Sequence, residues 1–236
     1  MTHSLDSISI TRDEARQALA AMQEFERDLD ALFGRHDIDL SLDLGRRNAL
    51  VSGVMEKAFA RQLLQRYPGT HADGKTGEPD IIVPGFRSVE CKLTTRTKGG
   101  SVNLQSDSNH WDDDEGKDFL YVVASEDFSE FAVLFFRGLT RDDFGPEAPG
   151  SRGRVKMVKA KGFKKCEVLV GSWLDLSRRS LQKKIDHHAS LVQKYGDSTS
   201  PTRQGWIQKA QERIAQARLQ APRITIELVP VQTQAA

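Results

Sequence analysis

The apolar residues of this chain change period part-way along, and that change limits the folds open to it. Between residues 11 and 66 they recur every three or four positions; between 80 and 137 they fall into short runs and alternations. The first pattern buries one face of a helix, the second one or both faces of a strand. Thr11 and Glu14 form a capping box ahead of Ala15, Leu19, Met22, Phe25, Leu29 and Leu32–Phe33, which predicts a helix over 11–33 ending at Gly34. A second helix is predicted over about 47–66, where Val51, Val54, Met55, Ala58, Phe59 and Leu63 share a face and Pro68-Gly69 stops it. Residues 69–79 read as a loop. Strands are predicted at Asp80–Val83 and Arg87–Thr94, joined by Pro84-Gly85, and at Phe119–Ala124 and Glu130–Arg137. Further strands are expected at Val155–Val158, Cys166–Val170 and Ile224–Val229, with helices near 178–195 and 203–219. The expected class is mixed α+β.

Several function classes drop out. The longest apolar runs, Phe119–Ala124 and Phe131–Phe136, fall far short of the roughly 20 residues that cross a bilayer as a helix. The first residues lack the basic and apolar regions of a secretion signal, so a cytoplasmic location without a membrane partner is expected. Cys91 and Cys166 are the only cysteines, too few for a disulfide framework or a thiolate zinc cage.

Two apparent motifs lack the context their chemistry needs. Gly69–Thr76 matches the phosphate-loop pattern, but a helix precedes it and Gly77-Glu78-Pro79 follows, where a strand and then a helix are required. His187-His188 are adjacent, so on a helix they diverge by about 100° rather than converging on an ion. His188 instead joins the stripe Leu181, Ile185, Leu191 and Tyr195 as a core-edge histidine.

The segment that carries chemistry is Pro79-Asp80 followed by Glu90-Cys91-Lys92. Alternation along a strand puts Glu90 and Lys92 on one face and Val89 and Cys91 on the other. The Pro84-Gly85 turn folds the preceding strand back and brings Asp80 beside that face. Two carboxylates and a lysine then meet at the ends of adjacent strands, which suits metal-dependent phosphodiester hydrolysis: hard oxygens for Mg²⁺, and a cation to orient or deprotonate water and offset charge. Glu56, in line with Phe59, Ala60 and Leu63 at the edge of the helix stripe, is a third candidate carboxylate; the alternative is an ordinary surface glutamate.

This pattern resembles the PD-(D/E)xK nuclease superfamily, which includes many type II restriction endonucleases; the resemblance covers about residues 48–137. It implies that Asp80 and Glu90 bind Mg²⁺, that Lys92 assists the water, and that Glu56 contributes to catalysis and metal binding. It also implies a restriction-endonuclease-like α/β core, a central mixed sheet flanked by helices, with an N-terminal helix and a basic C-terminal α/β extension. The activity implied is cleavage of double-stranded DNA by a homodimer. The family core has a strand between its first helix and the Asp, and a helix after the Glu-x-Lys strand; residues 67–79 and 95–117 show neither clearly. The latter stretch reads as a long substrate-facing loop, with Gln105 and the acidic run Asp112–Glu115 as auxiliary candidates.

Charge supports a polyanionic partner. Residues 1–150 carry 17 basic and 27 acidic side chains, a balance of −10, whereas 151–236 carry 17 and 6, a balance of +11. The candidate DNA contacts are Arg152, Arg154, Lys156, Lys159, Lys161, Lys164, Lys165, Arg178, Arg179, Lys183 and Lys184. The expected organisation is an N-terminal helical segment (1–45), a nuclease core (46–145) and a basic DNA-contacting region (151–236), with the turn-rich joint at 145–153 between the last two. The alternatives are a repair or recombination nuclease of the same superfamily, a nucleic-acid-binding protein without catalysis, and a protein adaptor.

Overall fold

Local sequence signals fix the ends of the first two helices. In this computed structural model α1 spans Arg12–Gly34, and Thr11 and Glu14 cap it reciprocally: the Glu14 N–H donates to Thr11 Oγ1 at 3.2 Å and the Thr11 N–H to Glu14 Oε2 at 2.7 Å. The Asp43 carboxylate caps α2, Leu44–Leu64, by accepting from the Arg46 N–H. The structure describes residues 5–73, 75, 78–96, 102–108, 111 and 116–227, without the side chains of 174–177 and 220–227.

The chain divides into two compact units: Met1–Thr95 with Asn103–Gly171, and Arg96–Val102 with Ser172–Ala236. The 145–153 joint lies inside the first unit.

Among the described residues the first unit holds a mixed sheet of six strands, in the order β1 (His71–Ala72), β2 (Ile81–Ile82), β3 (Val89–Thr95), β5 (Lys117–Ala124), β6 (Phe131–Leu139) and β8 (Cys166–Val170). Only β3 and β5 are parallel; the other neighbours are antiparallel. A separate ribbon pairs β4 (Gln105–Asp107) with β7 (Arg154–Lys156). The short helix α3, Lys159–Gly162, and one further helical turn, Phe163–Lys165, lie between β7 and β8.

The sheet is buried on both faces, which explains why β5 and β6 read as apolar runs instead of alternations. Leu120, Val122, Ala124, Val133 and Phe135 belong to one core cluster with Ala15, Leu19 and Met22 of α1 and Val51, Met55, Phe59 and Leu63 of α2. On the opposite face Phe119 stacks on Tyr121 with centroids 5.8 Å apart and lies near Phe144, and Tyr121 meets Phe136 edge to face. Arg47, buried near the start of α2, lies 4.0 Å over the Phe128 ring and 3.7 Å from Glu26 of α1, and donates to the Glu126 carbonyl.

Asp118 fastens the start of the chain to the sheet. Its buried Oδ1 accepts from Ser7 Oγ at 3.0 Å, Arg87 Nη1 at 3.1 Å and the Gly138 N–H at 2.8 Å. The second unit is a helical hairpin of α4 (Trp173–Tyr195) and α5 (Pro201–Glu227).

Three expectations need correction. Residues 69–79 are not wholly a loop, since β1 pairs there with β2: with so few residues, its backbone ladder leaves no apolar periodicity to read. The stretch 95–117 contains β4, whose polar Gln-Ser-Asp shows no apolar alternation to read. Ile224–Glu227, expected to begin a strand, continue α5; adding a residue to an existing helix needs only one more hydrogen bond. Residues 228 and 229 of that expected strand lie outside the described residues, as do Asp112–Glu115, Gly74 and Thr76 of the phosphate-loop match, and Gly77 after it.

Candidate active site

The turn that sets the site is Val83-Pro84-Gly85-Phe86. The Phe86 N–H donates to the Val83 carbonyl at 3.1 Å, and Gly85 sits at φ +80°, the arrangement that proline then glycine favour in a type II turn. It returns the chain so that Ile81 registers against Val89. Asp80, one residue before β2, then reaches β3: its Oδ2 accepts from the Cys91 N–H at 2.7 Å. Cys91 stands between Glu90 and Lys92. The three motif residues are therefore brought together by one side-chain-to-backbone hydrogen bond and one strand.

The alternation along β3 follows the sequence reading. Val89 and Cys91 are buried in the core cluster, while Glu90 and Lys92 are half-buried on the other face. Lys92 Nζ donates to Glu90 Oε1 in a close ion pair. Burial, the largest single influence, would lower the Lys92 pKa, but Glu90, by charge and hydrogen bond, together with Asp80 and Asp107 raises it overall. Lys92 thus stays an ammonium through neutral pH. Orienting water and offsetting negative charge suit that state; deprotonating water does not.

Glu56, on α2, is half-buried and not a surface glutamate. Burial pushes its carboxyl up to about 7, with Asp80 and Glu90 pushing the same way and Lys92 and Lys57 opposing. Burial likewise pushes the Cys91 thiol up, so a thiolate there is disfavoured.

A pocket of about 250 Å³ opens beside Lys92, lined in part by Asn103, Gln105, Asp107, Tyr121 and Arg154. The β4–β7 ladder sets Asp107 directly opposite Arg154. The buried Tyr121 hydroxyl, opposite Lys92 in the β3–β5 register, donates to the Gln105 carbonyl at 2.8 Å. Sequence reasoning missed Asp107, Asn103 and Tyr121. Asp107 carries no motif, and its link to Lys92 depends on a strand pairing 47 residues apart in sequence.

The donors fit a hard divalent cation in part. Asp80 and Glu90 offer carboxylate oxygens, and Mg²⁺ commonly takes one or two carboxylates, completing its shell with water and substrate phosphate. The mutual repulsion of Glu56, Asp80 and Glu90 is what a cation would relieve. Among the described residues no three His, Cys, Asp or Glu side chains form a group able to hold an ion by themselves.

The candidate DNA contacts divide between the units. Arg152, Arg154, Lys156, Lys161 and Lys164 are exposed in the first unit, and Lys159 and Lys165 are half-buried there. Lys165 is committed to the fold, 2.7 Å from Asp143 and 2.9 Å from the Gly138 carbonyl, and Lys161 donates to the Asp142 carbonyl at 3.0 Å. On α4 of the second unit, Arg178 and Arg179 are exposed, while Lys183 and Lys184 are half-buried. His188 is buried, as its place on the stripe predicts. No helix among the described residues is long and apolar enough to cross a membrane.

No protein-family model matches the chain, and no curated protein matches it.

Proposed function

We propose that this chain is a Mg²⁺-dependent endonuclease that hydrolyses phosphodiester bonds in double-stranded DNA, a sequence-specific restriction endonuclease of the PD-(D/E)xK type acting as a homodimer. The observation that carries the reading is the hydrogen bond from the Cys91 N–H to Asp80, which sets a second carboxylate beside the Glu90–Lys92 pair. Supporting it are the half-buried Glu56 and the polar pocket with Arg154 in its lining.

Asp80 and Glu90 would hold the metal, with Glu56 beside them. The ion supplies Lewis-acid stabilisation of the phosphoryl oxygens and a more acidic water. Lys92, as an ammonium, would orient an attacking water and offset charge that grows on the phosphate. Glu56, whose carboxyl is pushed up to about 7 by burial and by Asp80 and Glu90, is able to take up and return a proton. Arg154 reaches the scissile strand's phosphates from the pocket wall.

Incubating plasmid with the protein in Mg²⁺ and, separately, in EDTA tests this. Discrete fragments in Mg²⁺ alone are expected, and Asp80→Ala, Glu90→Ala and Lys92→Ala should each abolish them while the proteins still melt cooperatively. The carboxylate variants should lose Mg²⁺ affinity; the lysine variant should keep it and lose rate. Near-wild-type cleavage by any of the three removes that residue from the site.

A second reading, a nucleic-acid-binding protein without catalysis, is favoured by the Lys92–Glu90 pair, which neutralises Glu90 without an ion. Under that reading the plasmid is retarded intact in both buffers.

A further inference from the structure

The α4–α5 hairpin carries a pocket of its own, about 280 Å³, at the small end for ligand sites and sized for a single ring system. Its lining combines three features. The first is an exposed aromatic: Trp206 is 54% exposed and meets Tyr195 edge to face at 6.1 Å, so neither ring is stacked flat on the other. The second is positive charge, from Lys209 and Arg213, which are exposed four residues apart on one side of α5. Lys194 and Arg203 also lie 5.3 and 5.5 Å from the Tyr195 ring centre. The third is His188, only 5% exposed, whose Nδ1 is buried without a hydrogen-bond partner. Burial, with His187, Arg213 and Lys184 nearby, holds this imidazole below its usual pKa, so it is neutral.

A free tryptophan face, cations on one flank and an unsatisfied neutral imidazole are complementary to a flat ring with polar edges and an attached phosphate. We infer that the hairpin pocket seats one unpaired base of a single-stranded DNA segment, stacked on Trp206 with its phosphates toward Lys209 and Arg213. The base edge satisfies His188, which the protein leaves without a partner. Stacking tolerates any base, so the seat holds strands without reading sequence. The inference is independent of cleavage by the carboxylate cluster.

The test uses the full chain in EDTA, so that binding is read without hydrolysis, and follows the anisotropy of a fluorescein-labelled oligo(dT) of about eight nucleotides. Trp206→Ala is expected to weaken binding roughly tenfold and Trp206→Tyr to recover most of it, as loss and return of a stacking face require. Arg213→Gln, on an exposed position that leaves the fold intact, should weaken binding and lower the slope of log affinity against log salt by roughly 0.7. Wild-type affinity in both Trp206→Ala and Arg213→Gln overturns the inference. Competition by dTMP as effective as unlabelled oligo(dT) also overturns it, assigning the pocket to a free nucleotide. Failure here leaves plasmid cleavage unaffected, and failure of cleavage leaves this binding unaffected.

Discussion

Glu56 is the residue whose state depends most on what surrounds it. Its folded carboxyl titrates near 7, above the ordinary 4.5, so folding favours the protonated form. That contribution to stability is complete below about 4.5 and is lost as pH rises through about 7. In EDTA the melting temperature should therefore fall by a few degrees across this interval. Glu56→Gln should flatten the decline, and so should Mg²⁺ by relieving the repulsion from Asp80 and Glu90. A melting temperature with the same pH slope in the wild type and Glu56→Gln would assign the slope to other groups. Lys165 poses a different question. Its partner Asp143 is 8% exposed at the side chain, so Lys165→Ala leaves a nearly buried carboxylate without its cation. Denaturant titration should register a loss of roughly 1 kcal/mol or more. A surface lysine truncated in the same way, such as Lys164, should register almost none.

At the scale of elements, two glycines make opposite predictions. Gly171 follows β8 with φ +73°, and a Cβ there would clash with the Phe131 carbonyl oxygen on the neighbouring β6. Gly171→Ala should cost more than about 1 kcal/mol in denaturant titration, since both the backbone and the strand contact resist it. Gly53 lies in the exposed part of α2 with nothing within 4 Å of such a Cβ, and Gly53→Ala should gain roughly 0.5–1 kcal/mol. A neutral Gly171→Ala would mean that β6 and β8 can part there to admit a methyl group. The elements also show what sequence can carry. Both long N-terminal helices, the Pro84-Gly85 turn and the orientation of Glu90 and Lys92 were legible, because capping, turn chemistry and strand alternation act over a few residues. The hydrogen bond from Cys91 to Asp80 was legible only as nearness. β1, β4 and the place of Asp107 beside Lys92 were not, because each depends on pairing with a distant strand and leaves no local pattern.

For the whole molecule, the basic residues read as one continuous half belong to two units, 152–165 to the first and 178–184 to the second. Duplex binding in Ca²⁺, which blocks cleavage, should separate them. Each phosphate contact contributes roughly 0.9 to the slope of log affinity against log salt. Charge removal at Arg152, Arg154 and Lys164 should lower that slope by roughly 2–3 if the first unit carries the grip. An unchanged slope there, with a drop on changing Arg178 and Arg179, moves the grip to the second unit.

The order of strands in the first sheet has a further consequence, one of timing. β1, β2, β3, β5, β6 and β8 lie side by side in the order in which they leave the ribosome. Each new strand can add to an edge that already exists, so most of the sheet assembles without waiting for distant chain. The exception is Asp118, whose bond to Ser7 spans 111 residues and whose third donor is the Gly138 N–H. Ser7 is thus secured only after Gly138 has emerged. Until then the segment around Ser7, with Ile8 and Ile10 destined for the core, keeps apolar surface open to a chaperone.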